Sequence, residues 1–340
     1  MAKARDWTVR EATLQDDPAL GQLFKEVFGF DRGEDHHRWK FRDNPAGDPI
    51  IAVAQHGDQL VGQYALWPTA LRLGSDRVLG AQSLDTMTHP AFRGQGMFTV
   101  LAEECMRYAA ARQVEVLYGF PNENSKPGFV RRLDWDCTGD VSTWVRPLKP
   151  SRHARTPRWA GAVVDGAAAL WPRGRSRGFD LQFALPPAEE LDKLLQPHAP
   201  RDGVCRVERS AAYFAWRYGN ASGMQYRPVA AYRGARLAAL AVWGVQLRNG
   251  NAVLSELVAA DAPAAQAALS GALLQASADS RPLMLACSSR AGLASTLARC
   301  GFVRYGALPL IVRKLTVRTL GANVHTHANW DLFGSDLDTF

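Results

Sequence analysis

The chain has 340 residues, of which 47% are hydrophobic and 21% are charged, and its formal net charge is +7. This length and composition are typical of two globular domains and exclude a small disulfide-held scaffold or a low-complexity chain. A charge of +7 spread over so long a chain is too dilute for a nucleic-acid-binding patch, so no nucleic-acid partner is predicted.

The first 145 residues alternate short strands and helices. Alternating apolar residues and the turn at Gly57-Asp58 predict strands at 7–13, 50–56, 59–73, 77–88, 114–119 and about 137–145. Apolar residues at helical spacing predict helices within 18–42, interrupted near Gly29 and Gly33, over 96–112, and up to about Leu133.

Residues 146–178 differ from the sequence on either side because they are rich in basic residues. One acid, Asp165, stands against Arg146, Lys149, Arg152, Arg155, Arg158, Arg173, Arg175 and Arg177. An apolar stretch, 159–170, lies between the basic flanks. The segment is interpreted as a connector whose helix packs on a domain. The alternative is a weak contact with an anionic membrane surface, since the stretch is too short to span a bilayer.

The second half repeats landmarks of the first. Trp39-Lys40-Phe41 aligns with Trp216-Arg217-Tyr218 at an offset of 177, and 132–135 aligns with 299–302 at an offset of 167. These nearly equal offsets predict a duplicated domain. The repeated aromatic residues are interpreted as one packing position found in both copies, and a sugar-stacking platform is the alternative.

The predicted layout follows from this repeat. It consists of a first domain over 1–145, the connector 146–178, a second copy over 179–328 and an acidic, aromatic tail over 329–340. The tail is either a flexible end or a segment that folds over the acceptor cleft, where Asp336 or Asp338 would attract an ammonium group.

The segment from Leu84 to Leu101 has the pattern of an anion-binding loop. A strand ends at His89-Pro90, a short loop with Gly94 and Gly96 follows, and a helix then begins. Free amides and the positive end of the helix dipole attract an anion, and glycines let a bulky phosphate approach the backbone. The alternative is a plain glycine turn. The loop is not a nucleotide-binding P-loop, because no Gly-Lys-Ser/Thr follows.

This strand, the loop Arg93-Gly94-Gln95-Gly96 and the helix, together with 122–125 and Leu133-Asp134-Trp135, resemble the Gcn5-related N-acetyltransferase (GNAT) superfamily. The resemblance covers about residues 7–145 and is fainter in the second half. It implies a mixed α/β fold of two tandem domains, each a twisted, mostly antiparallel mixed sheet flanked by helices. It also implies acetyl-CoA, or another short acyl-CoA, as co-substrate.

The resemblance also implies the cofactor-binding positions. Loop amides would hold the pyrophosphate, the strand before the loop would hold the pantetheine and the thioester carbonyl, and two asparagines would line the thiol side. The loop positions are Arg93, Gly94, Gln95, Gly96, Met97 and Phe98, the strand positions are Thr86, Met87 and Thr88, and the asparagines are Asn122 and Asn124.

The chain departs from the family pattern at three positions. Ala91 stands where the family has Gln or Arg, Phe98 where it has a small residue, and Val130 where a tyrosine often protonates the leaving thiolate. The second copy has no such loop, because its turn, 259–263, lacks glycine and contains Asp261, which would repel a phosphate. One acyl-CoA per chain is therefore predicted.

Acyl transfer from a thioester to an amine needs a proton acceptor, a stabilised oxyanion and a leaving thiolate, but no covalent acyl-enzyme. The candidate base is Asp85, with Tyr118 and Glu123 as further choices. The alternatives are that Asp85 is a structural acid and Tyr118 a core residue. A backbone amide near Met87 is the expected oxyanion donor, and water is expected to protonate the thiolate.

The remaining reactive side chains predict neither a nucleophile nor a metal site. Cys105 lies on the apolar face of a predicted helix, so it is expected to be a buried core thiol. Two pairs of histidines occur, His36-His37 and His325/His327, but neither has further ligands at metal-binding spacing. The five cysteines are scattered and the N-terminus has no apolar signal core, which favours a reducing, cytoplasmic location.

The leading hypothesis is an N-acyltransferase that moves an acetyl or short acyl group from CoA to a small-molecule amine by direct attack in a ternary complex. An amino sugar of surface-polysaccharide synthesis is preferred as acceptor by family analogy. The alternatives are a peptidoglycan-bridge-type aminoacyl transferase, which generally lacks a well-formed CoA loop, and a non-catalytic CoA-binding protein. Neither the acceptor, the acyl length nor the oligomeric state follows from the sequence.

Overall fold

The computed structural model describes residues 6–153, 156–172, 174–196, 202–219, 225–246, 249–290 and 292–337. In this part of the chain one sheet of 13 strands is flanked by nine helices. The strands are β1 Thr8–Glu11, β2 Ile50–His56, β3 Gln59–Leu73, β4 Asp76–Thr88, β5 Val116–Gly119, β6 Asp136–Pro147, β7 Asp180–Gln182, β8 Cys205–Val207, β9 Arg227–Arg233, β10 Arg236–Val245, β11 Ala252–Ala259, β12 Leu283–Ser288 and β13 Val303–Lys314. The helices are α1 Asp17–Phe28, α2 Glu34–Phe41, α3 Met97–Ala111, α4 Lys126–Arg132, α5 Gly161–Ala169, α6 Ala188–Leu195, α7 Ala211–Tyr218, α8 Ala262–Ala278 and α9 Leu293–Arg299.

The local elements predicted for the first half are confirmed. The hairpin around Gly57-Asp58 is formed by β2 and β3, and the helix predicted over 96–112 is α3. The interruption near Gly29 and Gly33 separates α1 from α2, and both glycines have the left-handed backbone that other residues adopt only with strain, with φ of 79° and 77°.

The mixed α/β class is also confirmed, and the order of strands shows how the two halves join. The sheet runs β1-β2-β3-β4-β5-β13-β6-β12-β11-β10-β9-β7, and β8 pairs with the end of β3. In each half three antiparallel strands are followed by a helix, a parallel strand, a short helix and a last strand. The last strands are exchanged, because β13 pairs with β5 and β6 pairs with β12.

The central strands β6 and β13 also pair with each other, so the sheet is continuous from one half to the other. The predicted boundary at residue 145 falls within β6. The division of the chain into two domains therefore stays a prediction, although the order of elements repeats.

The repeated tryptophans meet where the two halves contact. Trp39 Nε1 donates to the backbone oxygen of Trp216 at 2.8 Å, and Trp216 Nε1 donates to that of Trp39 at 2.9 Å. Their rings stack with centroids 5.6 Å apart. A reciprocal contact between equivalent residues is what a two-fold axis produces, so the halves have approximate two-fold symmetry here. Trp39, Phe41 and Tyr218 are buried, which agrees with the packing interpretation.

Helices cover both faces of the first half of the sheet. Helix α3 packs Leu101 and Cys105 on one face, and α1 and α2 pack Leu20 and Phe41 on the other, towards the second half. Cys105 Sγ lies 3.2 Å from the backbone oxygen of Ile50, and burial raises the pKa of its thiol. The prediction of a core thiol at Cys105 is therefore confirmed.

A buried carboxylate stabilises the entry to α1 and makes the stability depend on pH. Asp16 accepts two hydrogen bonds from Arg10, at 2.8 and 2.7 Å, and one from the backbone N of Thr13 at 2.7 Å. The hydrogen bond from the Arg10 side chain is the main cause that lowers the pKa of Asp16 to about 2. Because its pKa is lowered in the folded state, this carboxylate stabilises the fold above about pH 4, and this contribution is lost as the pH falls towards 2.

Replacing Asp16 by asparagine is therefore expected to lower the free energy of unfolding by about 2 kcal/mol at pH 7. The difference between variant and native protein should shrink steadily below pH 4, as the native carboxylate takes up its proton. Urea denaturation at several pH values measures it, with the exposed Asp48→Asn as control. A loss of equal size at every pH would contradict the ionised pair as its cause.

Candidate active site

The glycine loop predicted from the sequence joins β4 to α3. A 3-10 turn at Pro90–Phe92 follows β4, and the ring of His89 accepts a backbone amide of this turn at 3.2 Å. Gly94 and Gly96 have φ of 79° and 75°, again left-handed. Among the described residues no side chain caps α3 at Gly96, and residues 93–96 are exposed. The loop, here called the phosphate loop, thus presents a helix N-terminus to solvent, which is the geometry that binds anions.

The two residues after the phosphate loop anchor α3 to its neighbours. Met97 is buried so close to β3 that a Cβ on Gly62 would lie 2.3 Å from its sulfur. Phe98 contacts Phe129 of α4 with ring centroids 5.2 Å apart. Because both side chains pack inward, these positions contribute only backbone amides to the N-terminus of α3. Phe98 stands where the family pattern has a small residue, and its ring packs α3 on α4.

The strands β4 and β5 part beside the phosphate loop. They pair in parallel from Gly80 and Val116 to Ser83 and Gly119, and β4 then continues alone on that side to Thr88. A bulge at Asp85, whose φ is 45°, shifts the register between β3 and β4 and bends the strand. Residues 86–88 therefore lie at the edge of a gap, which is where the resemblance expects the pantetheine.

The two asparagines after β5 lie in the turn that begins α4. Asn122 Oδ1 accepts from the backbone N of Asn124 and from that of Ser125, both at 3.0 Å. Both asparagines and the neighbouring Glu123 are exposed. The carbonyl of Asn122 thus shapes the turn, and its contact with a thiol arm stays a prediction.

Asp85 is held between two cations. Its carboxylate lies 2.8 Å from Arg32 Nη2 and 3.2 Å from Lys40 Nζ, and the exposure of these three side chains is 10%, 7% and 8%. Burial raises the pKa of Asp85, but Lys40 and Arg32 together lower it to about 2. The carboxylate is thus ionised at neutral pH and is a weak base. This geometry fits a structural acid better than a proton acceptor, and the role of Asp85 stays a prediction that a variant can test.

A cavity of about 430 Å³, here called the central cavity, lies between the two halves. Its lining includes Gln82 and Tyr118, which pair with each other one position before β4 and β5 part. From the second half, Tyr213 and Trp216 of α7 line the cavity, together with Asp336 of the C-terminal segment. The central cavity therefore begins beside the apex of the gap.

Tyr118 is 1% exposed and its hydroxyl points towards the C-terminal segment. The hydroxyl lies 3.5 Å from both Thr69 Oγ1 and the backbone oxygen of Asp336. Burial raises the pKa of the Tyr118 phenol, and the charge of Asp336 raises it further. At neutral pH the phenol keeps its proton, so Tyr118 can donate a hydrogen bond but is a poor base and a weak acid.

The central cavity contains two acids with different surroundings. Glu208 is bound by Arg72 and Arg77, at 2.7 and 2.6 Å. Asp336 pairs with Arg209 at 2.6 Å, and burial nevertheless raises the pKa of Asp336. A cation that entered the cavity would favour the ionised form of Asp336.

The C-terminal segment 330–337, here called the C-terminal strap, lies between β11 and β12. These strands pair in parallel up to Leu254 and Ala286 and then part, as β4 and β5 do. The backbone N of Ser289 donates to the oxygen of Leu332 at 3.0 Å. A Cβ on Gly334 would lie 2.7 Å from the oxygen of Leu254. The strap thus fills the gap of the second half that corresponds to the gap between β4 and β5.

The strap is buried, so residues 330–337 are not a flexible end. Trp330, Leu332, Phe333 and Leu337 are at most 1% exposed. The path of the strap supports the alternative interpretation, in which the tail folds over a cleft, because Asp336 lines the central cavity. The second acid considered there, Asp338, lies outside the described residues.

The N-terminus of α8 in the second half is already bound to a carboxylate. The side chain of Asp261 accepts from the backbone N of Ala264 at 2.8 Å and pairs with Arg233 at 2.9 Å. A phosphate there would have to displace this cap and approach its negative charge. The filled gap and the capped helix both support the prediction of one acyl-CoA per chain.

Sequence reasoning missed the buried ion cluster behind the strap. Glu256 is 0% exposed and lies 2.9 Å from Arg209 and 3.6 Å from Arg290. Ser335 of the strap donates to the same carboxylate at 2.9 Å. The sequence did contain a signal for this cluster, since Glu256 is the single acid within the apolar run 252–259. A charge that is buried in a strand requires partners of opposite charge.

Parted parallel strands, an uncapped helix N-terminus and an adjoining cavity define a site for a long anionic ligand that lies between strands. Residues 8–138 match the family model described as an acetyltransferase (GNAT) domain. These residues therefore form a GNAT acetyltransferase domain. A search of the curated proteins gave no match.

Solved structures resemble the fold over nearly the whole chain. A GCN5-related N-acetyltransferase of Anabaena variabilis is 13% identical, with a TM-score of 0.64 over 92% of this chain and 73% of that one. A probable N-acyltransferase of Enterococcus faecalis is 14% identical, with a TM-score of 0.66 over 91% and 73%. A GCN5-related N-acetyltransferase of Kribbella flavida is 13% identical, with a TM-score of 0.61 over 91% and 71%. At this identity the similarity establishes the fold alone.

Proposed function

We propose that the chain is an acyl-CoA-dependent N-acyltransferase with one cofactor site, which transfers an acetyl or short acyl group to the amine of a small molecule. The observation that carries the proposal is the uncapped N-terminus of α3 beside the gap between β4 and β5, with the central cavity at the apex of that gap. The match of residues 8–138 to a GNAT acetyltransferase domain supports acyl transfer in general.

The binding of acyl-CoA follows from this arrangement. The amides of Gly94–Phe98 and the cation of Arg93 would bind the pyrophosphate. The edge of residues 86–88 would bind the pantetheine, with Asn122 and Asn124 across the gap. The thioester would then lie near Ser83 and Gly119, where the strands part.

The central cavity is the proposed acceptor site. Its aromatic rings, from Tyr213 and Trp216, suit a small cationic amine, and the negative charge of Asp336 is buried behind the cavity wall. A volume of about 430 Å³ is within the ordinary range of small-molecule sites. An amino sugar remains the preferred acceptor by family analogy, and linear polyamines fit the same chemistry.

The reaction needs no acyl-enzyme. The neutral amine attacks the thioester carbonyl, the C–N bond forms, the C–S bond breaks, and the thiolate leaves. An ammonium acceptor gives one proton to water before the attack and a second one after it, and the thiolate gains one. The thiolate takes its proton from water, and Tyr118, which keeps its own proton and lies in the same cavity, is the proposed hydrogen-bond donor to the thiolate. A backbone amide of β4 near Met87 is the proposed oxyanion donor.

Calorimetric titration with acetyl-CoA and a turnover assay over a panel of amines test the proposal. One equivalent of bound acetyl-CoA, and a new amide detected by mass spectrometry with at least one amine, are expected. Binding without turnover of any aminosugar, polyamine or amino acid would favour the non-catalytic alternative. Absence of binding would overturn the cofactor site and with it the acyltransferase proposal.

Replacing Asp336 by asparagine is expected to raise KM for a cationic acceptor by about tenfold, because a negative charge buried behind the cavity wall is lost. The dissociation constant of acetyl-CoA should stay unchanged. In the native protein the same KM should rise as the pH falls, since the pKa of Asp336 is raised. Steady-state kinetics at several pH values measure both effects.

The matched control is Ser335→Ala, which removes a hydrogen-bond partner of Arg209 and Glu256 from the same strap but leaves the charge of Asp336. This control should retain the native KM for the acceptor. An equal rise of KM in both variants would assign the effect to the packing of the strap rather than to the carboxylate. Truncation of the tail is a poorer test, because it would also expose the core residues under the strap.

A further inference from the structure

The connector helix α5 and the residues at its two ends expose large apolar side chains instead of packing them on a domain. Trp159, Val163 and Leu170 are 88%, 75% and 89% exposed, and among the residues of α5 only Ala168 is buried. Trp171, directly after the helix, is also exposed. Scattered apolar residues are normal on a protein surface, but four large ones within the 13 residues 159–171 mark a surface that binds a partner.

Polar contacts hold this helix in place with its apolar side outward. The backbone N and the hydroxyl of Ser151 donate to the carboxylate of Asp165, at 2.9 and 2.7 Å. After the helix, Trp171 Nε1 donates to the oxygen of Gly301 at 2.6 Å, and Arg146 donates to the oxygen of Trp171 at 3.2 Å. The helix is thus anchored at both sides, and its single acid is already bound.

The apolar surface continues from α5 onto the second half. Leu170 and Trp171 line a shallow groove together with Phe302 and Val303, and Val303 is 45% exposed. The aromatic ring of Tyr305, two residues further along β13, is 73% exposed. The surface formed by 159–171 and 302–305 is here called the connector patch.

Exposed cations adjoin the connector patch in the sequence. Arg152 precedes α5, Arg175 and Arg177 follow it, and all three are exposed. On the second half, Arg299 and Arg304 are exposed beside the groove residues. Arg155 and Arg173 lie outside the described residues, and nothing is described of the side chain of Arg158. An apolar centre with a basic rim matches the chemistry of an anionic bilayer surface.

We propose that the connector patch binds the surface of an anionic lipid bilayer, with the side chains of Trp159, Val163 and Leu170 in the headgroup region and the arginines on the lipid phosphates. No helix in the described part of the chain has the length and apolar character needed to cross a membrane, so the contact is peripheral. A second copy of the chain is a less suitable partner, because two equally basic patches repel each other.

Vesicle co-sedimentation of the full chain tests this proposal. The protein should pellet with phosphatidylcholine vesicles that contain phosphatidylglycerol. A much smaller fraction of the protein should pellet with vesicles of pure phosphatidylcholine. High salt should weaken the binding, because the arginine contacts are screened. The double variant Trp159→Glu/Leu170→Glu should lower the partition coefficient by at least about tenfold.

The matched control is Val317→Glu, which places the same charge at a fully exposed apolar residue away from the patch. A native urea-unfolding midpoint in all variants would show that they are folded, and this readout does not depend on the proposed acyl-CoA site. Equal partition of the double variant and the native protein would overturn the assignment to the patch. Absence of binding to anionic vesicles would overturn the proposal, and so would a dimer in solution that the double variant abolishes.

Discussion

Replacing Gly96 by aspartate is expected to weaken acetyl-CoA binding by at least about 100-fold, which corresponds to about 2.7 kcal/mol. Gly96 is the N-terminal cap of α3, where the backbone amides would bind the pyrophosphate. A carboxylate at this position can accept those amides itself and repels the phosphates. Asp261 shows this arrangement at the corresponding helix of the second half, where its carboxylate accepts the amide of Ala264.

The variant should fold, since a Cβ on Gly96 would have no atom within 4 Å. The left-handed backbone, with φ of 75°, adds a strain of about 1 kcal/mol for any side chain. Gly96→Asn is the matched control, because asparagine has the same shape, tolerates a positive φ better than most residues and carries no charge. It should weaken binding by less than about tenfold.

Calorimetric titration of the two variants and the native protein measures the effect. A large loss with aspartate and a small loss with asparagine would place the pyrophosphate at the N-terminus of α3. Losses of equal size would mean that the strained backbone, not the charge, is responsible. Native affinity in the aspartate variant would show that the ligand binds elsewhere.

The local part of the site could be predicted from the sequence. Glycines at 94 and 96 between an apolar strand and an amphipathic helix imply an uncapped helix N-terminus, because such a pattern depends on residues near each other in the chain. The duplication could also be predicted, since Trp39 and Trp216 occur at the same offset as their neighbours. The reciprocal contact between them requires that the halves meet, which local periodicity does not specify.

The long-range pairings could not be predicted in the same way. The exchange of β6 and β13, and the entry of the C-terminal strap between β11 and β12, join residues far apart in the chain. The apolar pattern of β6 or β13 is compatible with pairing to β5 or to β12, so the sequence alone does not choose between these neighbours. The cations beside Asp85 were missed for the same reason, because Arg32 and Lys40 come from α2 and the turn before it.

Replacing Asp85 by asparagine is expected to lower the free energy of unfolding by about 3–5 kcal/mol at pH 7, because Arg32 and Lys40 would remain buried without their carboxylate. The pKa of Asp85 is about 2 in the folded protein, below its ordinary value. This contribution to stability is therefore complete above about pH 4 and is lost as the pH falls towards 2. Urea denaturation over this range measures it.

The corresponding control in the second half is Glu256→Gln. Glu256, which is 0% exposed, also lies between two cations, Arg209 and Arg290, although that half has no phosphate loop. The recurrence of this arrangement where no acyl-CoA is expected indicates that it belongs to the fold. A destabilisation of similar size in Asp85→Asn and Glu256→Gln would support a structural role for both acids.

The double variant Asp85→Asn/Lys40→Met separates a structural acid from a catalytic base. It removes one negative and one positive charge, so the net charge of the cluster stays that of the native protein. Stability should recover by at least about half of the loss, because one unpaired buried cation is gone. A structural role predicts that kcat recovers together with stability. Recovered stability with kcat still about 100-fold low would instead assign the proton transfer to Asp85, since asparagine cannot accept the proton.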